Sequence, residues 1–220
     1  MAAIDRLIDS SKDIWEESYR HPFVQGIADG TLPEDKFRFY IIQDYLYLID
    51  YAKVFAVGIS KAHDVEIMRL FTKYIDDILN GEMDVHNGYT AQLGITREEI
   101  AKTPISLDSR SYTSYMLACA HEGDALDTLV AILSCAVSYE DIGKRIAAEH
   151  LDSVNHPVYG SWVSFYSSET YHKENLQLTE MLEHMAQGLS EERTCRLEEI
   201  FRTCSRYELS FWEMAWKKRI

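Results

Sequence analysis

Apolar residues along the chain recur at intervals of three and four, which is the repeat of a helix with one buried face. The pattern is clearest around residues 37–55, 129–146 and 201–215. The first segment carries Phe37, Tyr40, Ile41, Asp44, Tyr47, Leu48, Tyr51 and Phe55. The second carries Leu129, Ile132, Cys135, Ala136, Tyr139, Ile142 and Ile146, and the third carries Phe201, Cys204, Glu208, Phe211 or Trp212, and Ala215. This periodicity predicts a protein that is almost entirely helical.

Capping residues, glycines and prolines divide the chain into predicted helices. A first helix is expected over residues 4–19, and a second begins at a capping box formed by Thr31 and Glu34 and runs to about Ala62. Further helices are expected over residues 65–93, over a short stretch after a second capping box at 96–99, and over 109–122, 124–150, 157–166, 169–187 and from 190 to the end. Several exceed the usual helix length, which predicts an all-α, single-domain bundle of residues 1–220 with an interior site.

Composition narrows the classes of function. The 220 residues carry a formal charge of −14, which argues against nucleic acid or an anionic membrane as the main partner. The longest largely apolar run, residues 129–137, is far shorter than the roughly 20 residues that cross a bilayer. Four cysteines without a CxxC pair, and a start without an apolar signal segment, favour a cytoplasmic protein.

Polar residues on the apolar faces are the first candidates for chemistry. Asp44 and Glu208 each lie in the middle of a predicted buried face, where an unpaired carboxylate costs several kcal/mol or remains protonated. Each acid could instead be satisfied by a helix-end amide, a tyrosine or a buried basic residue, and Cys135 could be a small core residue. Because two acids, a thiol and surplus tyrosines are all predicted to point inward, we interpret them as a candidate site.

Eight segments, in order along most of the chain, resemble the TenA/THI-4 family. They are HPFVQGI (21–27), DGTLP (29–33), YIIQDYLYL (40–48), AKV (52–54), YTSYM (112–116), CAVSYEDIG (135–143), HPVY (156–159) and YELSFW (207–212). The resemblance implies the all-helical fold of haem oxygenases and a homotetramer. It also implies a thiaminase II, or aminopyrimidine aminohydrolase, which converts 4-amino-5-aminomethyl-2-methylpyrimidine to its 5-hydroxymethyl product in thiamin salvage and also cleaves thiamin.

The same resemblance assigns roles to individual residues. It makes Cys135 the nucleophile, which places the chain in the cysteine-containing branch, and Glu208 the main acid and base. Asp44 would hold the exocyclic amino group and a ring nitrogen of the substrate. The remaining positions are tyrosines: Tyr112 and Tyr166 would position the acid and the ring, while Tyr47 and Tyr139 would line the pyrimidine. This chemistry requires neither a metal nor an organic cofactor.

Several positions depart from the family pattern. Asp141 stands where a glutamate is frequent, with Glu140 before it, and Ala136, Val137 and Leu46 stand where relatives can carry aromatic residues. We expect these changes to reshape the pocket while leaving the proposed catalytic set intact. No histidine lies near Cys135 in the sequence, so the group that takes the thiol proton is left open.

Two other classes of function remain as alternatives. A non-haem iron oxidase of the same fold would need clustered histidine and carboxylate ligands. Candidate pairs are spaced along helices, but the ExxH motif that di-iron bundles carry twice occurs once; these candidates are Glu82 with His86, His63 with Glu66, and Glu169 with His172. A non-enzymatic regulator or interaction protein is the other alternative, although no basic recognition helix is found.

Overall fold

The computed structural model describes residues 2–220, and the side chains of all of these except 81–87. Twelve α-helices and no strand are formed by the described residues. They are α1 (Ala3–Asp9), α2 (Lys12–Tyr19), α3 (Pro22–Ala28), α4 (Glu34–Lys61), α5 (Val65–Asp76), α6 (Met83–Gln92), α7 (Arg97–Lys102), α8 (Leu107–Glu122), α9 (Ala125–Glu149), α10 (Gly160–Tyr166), α11 (Glu169–Met185) and α12 (Glu191–Lys217). The prediction of an all-α bundle is therefore confirmed.

The central helix of the bundle is α9, which packs against α4, α8, α10, α11 and α12. A helix that is apolar on every side must be buried on every side. The run of residues 129–137 meets this condition, since every member is buried except the half-buried Cys135. The predicted apolar faces of α4 and α12 are also buried, so the three periodic segments together build the core.

The first predicted helix is interrupted in the structure. Ser10 and Ser11 separate α1 from α2, and the Ser10 hydroxyl donates to the carbonyl oxygen of Leu7 at 2.6 Å. Hydroxyl groups of this kind compete with the helical hydrogen bonds and favour such breaks. The pattern also missed α3, which begins at Pro22 with His21 as its N-cap; the His21 ring nitrogen Nδ1 accepts from the backbone amide of Phe23.

The capping box predicted at Thr31 is wrong. Helix α4 has Pro33 at its N-cap and no side-chain capping bond. The backbone amides of Thr31 and Leu32 instead donate to the carbonyl oxygen of Gly26, each at 2.9 Å, and so close the end of α3. Gly30 adopts a φ of +71°, which suits glycine at the end of a helix. Thr31 and Leu32 therefore belong to the turn that ends α3, although the local pattern assigned Thr31 to the start of α4.

Other caps agree with the sequence. Asp124 caps α9 in a capping box with Asp127, and Thr96 accepts from the amide of Glu99 at the start of α7. The Glu99 carboxylate does not complete a second box, because it pairs with Arg38 of α4. None of the helices formed by the described residues combines the length and apolar character that crossing a lipid bilayer demands.

The long helix predicted over residues 65–93 has a wide turn in its middle. The segment Asp77–Glu82 is π-helical and separates α5 from α6. Single π-helical turns inside α-helices are frequent at functional sites, because the extra residue per turn alters where side chains point. Here Asp77 and Ile78 of this turn line the main interior cavity.

Candidate active site

An interior cavity of about 50 Å³ lies between α4, α9, α10 and α11. Five of the seven residues predicted for the site line it: Asp44 and Tyr47 from α4, Cys135 and Tyr139 from α9, and Tyr166 from the end of α10. The other two, Glu208 and Tyr112, are fully buried beside it and do not line it directly. The fold thus brings together residues that are far apart in the sequence, from Asp44 to Glu208.

Helix periodicity places the catalytic candidates on the inner faces. Asp44 and Tyr47 are three residues apart on α4, and Cys135 and Tyr139 are four apart on α9, so each pair projects from one face. Cys135 is half-buried although its helical neighbours are buried, because its side chain is at the cavity. The carbonyl oxygen of Cys135 accepts from the Ser138 hydroxyl at 3.1 Å.

Glu208 is the most perturbed acid of the site. Glu208 is 3% exposed, and burial raises its pKa to about 7. The neighbouring Tyr112 and Cys135 side chains oppose this rise in the pKa, whereas the negative charge of Asp44 adds to it. A carboxylic acid with this pKa is part protonated and part ionised near neutral pH, so it can both donate and accept a proton.

Three polar atoms of the site have no normal hydrogen-bond partner among the residues whose side chains are described. They are the hydroxyl groups of Tyr47 and Tyr112 and the Oε1 atom of Glu208, and all three are buried. Buried polar atoms are satisfied in the large majority of cases, and each exception costs about 1–3 kcal/mol. Tyr47 lines the cavity, and Tyr112 and Glu208 are buried beside it, so polar groups with incomplete hydrogen bonding are concentrated in this part of the interior.

Aromatic rings form most of the remaining walls. The Tyr47 ring is stacked on Tyr51 with centroids 5.2 Å apart, and the Tyr139 ring is 4.9 Å from Tyr166 and 5.0 Å from Trp212. Desolvation raises the pKa of Tyr47 and Tyr139 well above the ordinary value for tyrosine, so both rings remain neutral. Flat neutral walls with a few polar groups suit a flat heteroaromatic ligand.

The sequence analysis missed the opposite wall of the cavity. This wall comes from the end of α5, the π-helical turn and α11, and it contributes Tyr74, Asp77, Ile78, Tyr171, Glu174, Asn175 and Leu178. A signal was available for Asn175, because it lies on the buried face that Tyr171, Leu178 and Leu182 define on α11. A polar residue on such a face is the same kind of signal that selected Asp44 and Glu208.

The positions that depart from the family pattern mostly lie away from the cavity. Only Ala136 lines it; Leu46, Val137 and Asp141 do not. Burial raises the pKa of Asp141, and this residue lies 3.7 Å from Arg145. Glu140 pairs with Lys144 and His172 on the outer side of α9 and accepts from Asn175.

The residues considered for iron do not form a cluster. Within the part of the chain whose side chains are described, no group of three or more histidine, cysteine, aspartate or glutamate residues could hold a metal ion. His172 of the single ExxH motif pairs with Glu140, and His21 caps α3 and contacts Glu213 at 3.1 Å. The side chains of Glu82 and His86 lie outside the described residues.

The fold and the cavity define a helical-bundle protein with a buried, small-molecule site. The chain belongs to the TENA/THI-4/PQQC family, whose model matches residues 8–218. It is 44% identical over 214 residues to an aminopyrimidine aminohydrolase from Halalkalibacterium halodurans, a match that covers 97% of this chain and 95% of the relative.

Solved structures agree with this family. A TenA homologue from P. horikoshii OT3 superposes with a TM-score of 0.88 at 33% identity, covering 99% of both chains. A protein of heme oxygenase-like fold from Shewanella denitrificans superposes with a TM-score of 0.79 at 14% identity, over 98% of this chain and 92% of that one. The fold type expected from the resemblance is therefore confirmed.

Proposed function

We propose that this protein is an aminopyrimidine aminohydrolase of thiamin salvage. It would convert 4-amino-5-aminomethyl-2-methylpyrimidine and water to the 5-hydroxymethyl pyrimidine and ammonia, and it would also cleave thiamin into its pyrimidine and thiazole. The observation that carries the proposal is a buried acid with a pKa of about 7, Glu208, beside a thiol, Cys135, and a second carboxylate, Asp44. The name of the 44% identical relative supports the same reaction.

Recognition of the ring would depend on Asp44 and the tyrosines. The Asp44 carboxylate accepts hydrogen bonds from the exocyclic amino group of the pyrimidine and fixes which ring edge faces Glu208. The Tyr47 and Tyr139 rings lie against the faces of the pyrimidine, and Tyr166 closes the side of the cavity next to Tyr139. Water is excluded by these walls, which strengthens each polar contact inside.

In this mechanism Glu208 would take the thiol proton of Cys135. Its ionised form accepts the proton of Cys135, because the two side chains are close enough for Cys135 to lower the pKa of Glu208. The resulting carboxylic acid then donates that proton to a ring nitrogen of the substrate, which makes an adjacent ring carbon electrophilic. A pKa near the working pH serves both transfers. The Tyr112 side chain holds Glu208 in position.

The covalent steps follow from that proton transfer. The thiolate sulfur forms a bond to the electrophilic ring carbon. The C–N bond at the methylene then breaks, and the protonated amino group departs as ammonia with the electron pair of that bond. A water molecule adds its oxygen to the methylene carbon and loses a proton to Glu208. The C–S bond then breaks, Glu208 gives its proton to the departing sulfur and takes the proton of the ring nitrogen, and the aromatic ring and the thiol are restored. With thiamin, the thiazole nitrogen is the leaving group.

We infer the assembly and compartment from the family resemblance. The buried core includes residues from all parts of the described chain, which supports a single domain over residues 1–220. A homotetramer in the cytoplasm is the expected working form. Light scattering of the purified protein tests the tetramer, and a monomer under all conditions would contradict it.

Ammonia release from the aminomethyl pyrimidine tests the reaction itself. Cys135→Ala and Glu208→Gln should each abolish turnover while circular dichroism stays unchanged. Cys195→Ala and Glu199→Gln are matched controls, because both residues are exposed on α12, and these variants should retain full activity. Thiazole release from thiamin is measured in the same set. Absence of both activities in the unmodified protein would overturn the proposal.

A further inference from the structure

Asn175 on α11 lines the cavity, and its hydrogen bonds to other described residues are made by its side-chain nitrogen. Its Nδ2 atom donates to the carbonyl oxygen of Ala136 at 3.0 Å and to the Oε2 atom of Glu140 at 2.7 Å. Both partners are acceptors only, so the amide has one chemically sensible orientation. The Oδ1 atom accepts no hydrogen bond from any side chain or backbone group that the structure describes. Asn175 is 3% exposed and lines the cavity, so Oδ1 is the atom left to meet a ligand.

Glu140 keeps this amide in place. It lies one turn after Ala136 on α9 and also pairs with Lys144 and with His172, which is 2.6 Å away. These contacts, on the outer side of α9, keep the carboxylate ionised and lower the pKa of Glu140 despite its partial burial. The amide orientation is therefore determined by α9, the helix that also carries Cys135.

Two carboxylates lie on the same wall as Asn175. Glu174 precedes it on α11, and Asp77 belongs to the π-helical turn; both line the cavity. Asp77 pairs with Lys73, whereas Glu174 has no ion pair among the described side chains. One lysine against two carboxylates leaves this wall with a net negative charge. The Tyr74 hydroxyl donates to the backbone oxygen of Glu174 and so joins α5 to α11 here.

The surroundings of Glu174 disfavour its ionised form. Burial and the neighbouring Asp77 raise the pKa of Glu174, while Lys73 opposes the rise. A cation placed at this wall would stabilise the carboxylate and would also supply the hydrogen-bond donors that Oδ1 of Asn175 lacks. An ammonium group meets both requirements, because it is a positive charge with three N–H donors.

We infer that Asn175 and Glu174, with Asp77, form a subsite for a positively charged substituent on the methylene group of the substrate. This inference rests on the proposed aminopyrimidine function and adds a specificity-determining wall to it. The aminomethyl group of the proposed substrate is an alkylamine and is protonated near pH 7. The hydroxymethyl product has nearly the same size and no charge at that position. The subsite thus favours the substrate over the product.

Calorimetric binding of these two pyrimidines, without turnover, tests the inference. The measurements use the full-length protein carrying Cys135→Ala, so that the aminomethyl compound persists. In that protein the aminomethyl pyrimidine should bind about tenfold more tightly than the hydroxymethyl compound, as expected for a charge-assisted hydrogen bond. When either Glu174→Gln or Asn175→Leu is added to this protein, the ratio of the two affinities should fall about fivefold or more.

Two exposed residues of α11 provide the controls. Glu180→Gln and Gln177→Leu make the same chemical changes outside the cavity and should leave the ratio unaltered. If Asn175→Leu fails to fold, Glu174→Gln alone is sufficient for the test, since Glu174 is only partly buried. Equal affinity for the two pyrimidines, or a ratio that neither substitution changes, would overturn the subsite alone. Binding of neither pyrimidine would overturn the proposed function and the subsite with it.

Discussion

Two buried carboxylates show how differently one fold can treat the same group. Asp127 at the start of α9 is 2% exposed and Glu208 on α12 is 3% exposed. Burial raises the pKa of Asp127, but hydrogen bonds from Arg193 and from the backbone of Asp124 outweigh burial, so its pKa lies below the ordinary value. Among the described side chains, no basic neighbour offsets the burial of Glu208, and its pKa rises to about 7.

The geometry explains the contrast. Arg193 donates to both carboxylate oxygens of Asp127, at 2.6 and 2.9 Å, and the Asp124 amide adds a third hydrogen bond at 3.1 Å. The Oε1 atom of Glu208 has no partner of normal geometry among the described residues. A fully paired carboxylate stabilises the junction of α9 and α12. An incompletely paired one is available for proton transfer, so the set of partners, rather than burial itself, separates structure from chemistry.

The largest expected effect is on activity. Glu208→Gln should lower kcat by about 10²–10⁴-fold, the range of general acid–base catalysis, because the amide cannot exchange a proton. Near pH 4.5, where Glu208 is protonated in the folded protein and as uncharged as Gln, the free energy of unfolding should change by less than about 1 kcal/mol. Steady-state ammonia release and urea unfolding measure the two quantities. Loss of stability without loss of turnover would make Glu208 a structural residue like Asp127.

Glu208 and Asp127 should change the free energy of unfolding in opposite directions as the pH rises. Glu208 has a folded-state pKa of about 7 against 4.5 for the model compound, so between these values the folded protein holds a proton that the unfolded chain has released. Its contribution to stability is therefore lost as pH rises from 4.5 to about 7, by about 3 kcal/mol in total. Asp127, with a lowered pKa, contributes above its unfolded pKa and loses that contribution as pH falls through its folded pKa.

Urea unfolding at several pH values from 4.5 to 8 checks this linkage. The free energy of unfolding of the unmodified protein minus that of Glu208→Gln should fall with rising pH. Below about pH 7, kcat/KM should fall as Glu208 becomes protonated, because its ionised form accepts the proton of Cys135. A difference between the two proteins that does not depend on pH would contradict the raised pKa of Glu208.

Removal of the paired carboxylate should affect stability instead of activity. Asp127→Asn should lower the free energy of unfolding by about 2–3 kcal/mol at pH 7, since the partly buried Arg193 then keeps only the exposed Asp124 as an ionic partner. Turnover at a temperature where the variant is folded should equal that of the unmodified protein. Chemical unfolding and ammonia release test this pair of outcomes, and a tenfold loss of kcat in the folded variant would count against it.

The smallest expected effects come from removing single tyrosine hydroxyl groups, one at the site and one away from it. Tyr112→Phe should change the free energy of unfolding by less than about 0.5 kcal/mol, because its hydroxyl has no normal partner, and should lower kcat/KM about tenfold through loss of contact with Glu208. Tyr19→Phe should do the opposite, costing about 1 kcal/mol without affecting turnover. The Tyr19 hydroxyl donates to Glu149 at 2.7 Å, far from the cavity. Equal stability losses in both variants would remove the distinction.

Much of the candidate site could be predicted from local pattern. Asp44, Cys135 and Glu208 were selected because a polar or reactive residue on an apolar helical face must be explained. Asn175 satisfies the same criterion on α11, but it lies outside the three segments with the clearest apolar periodicity. Asp77 and Glu174 could not be found this way, because they become part of the cavity only through the π-helical turn and the packing of α5 on α11.

Errors in the predicted helices have a common physical cause. The capping box at Thr31 was a sound local interpretation, but the amides of Thr31 and Leu32 are used to close α3 on Gly26. The break at Ser10 likewise depends on competition between hydrogen bonds. Local propensity favours one hydrogen-bonding arrangement of a short segment. Tertiary contacts decide between arrangements that have similar free energies.

The sequence by itself determined that this protein is a helical bundle, which faces of its longest helices are buried, and which unusual residues those faces carry. These properties depend on spacing along a single helix, where the geometry is known in advance. Only the tertiary structure decided that Asp127 meets Arg193 while Glu208 meets Cys135 and Tyr112. Pairing between side chains on different helices depends on distances of a few ångströms, and those distances determine whether a buried carboxylate is a structural ion or a proton donor.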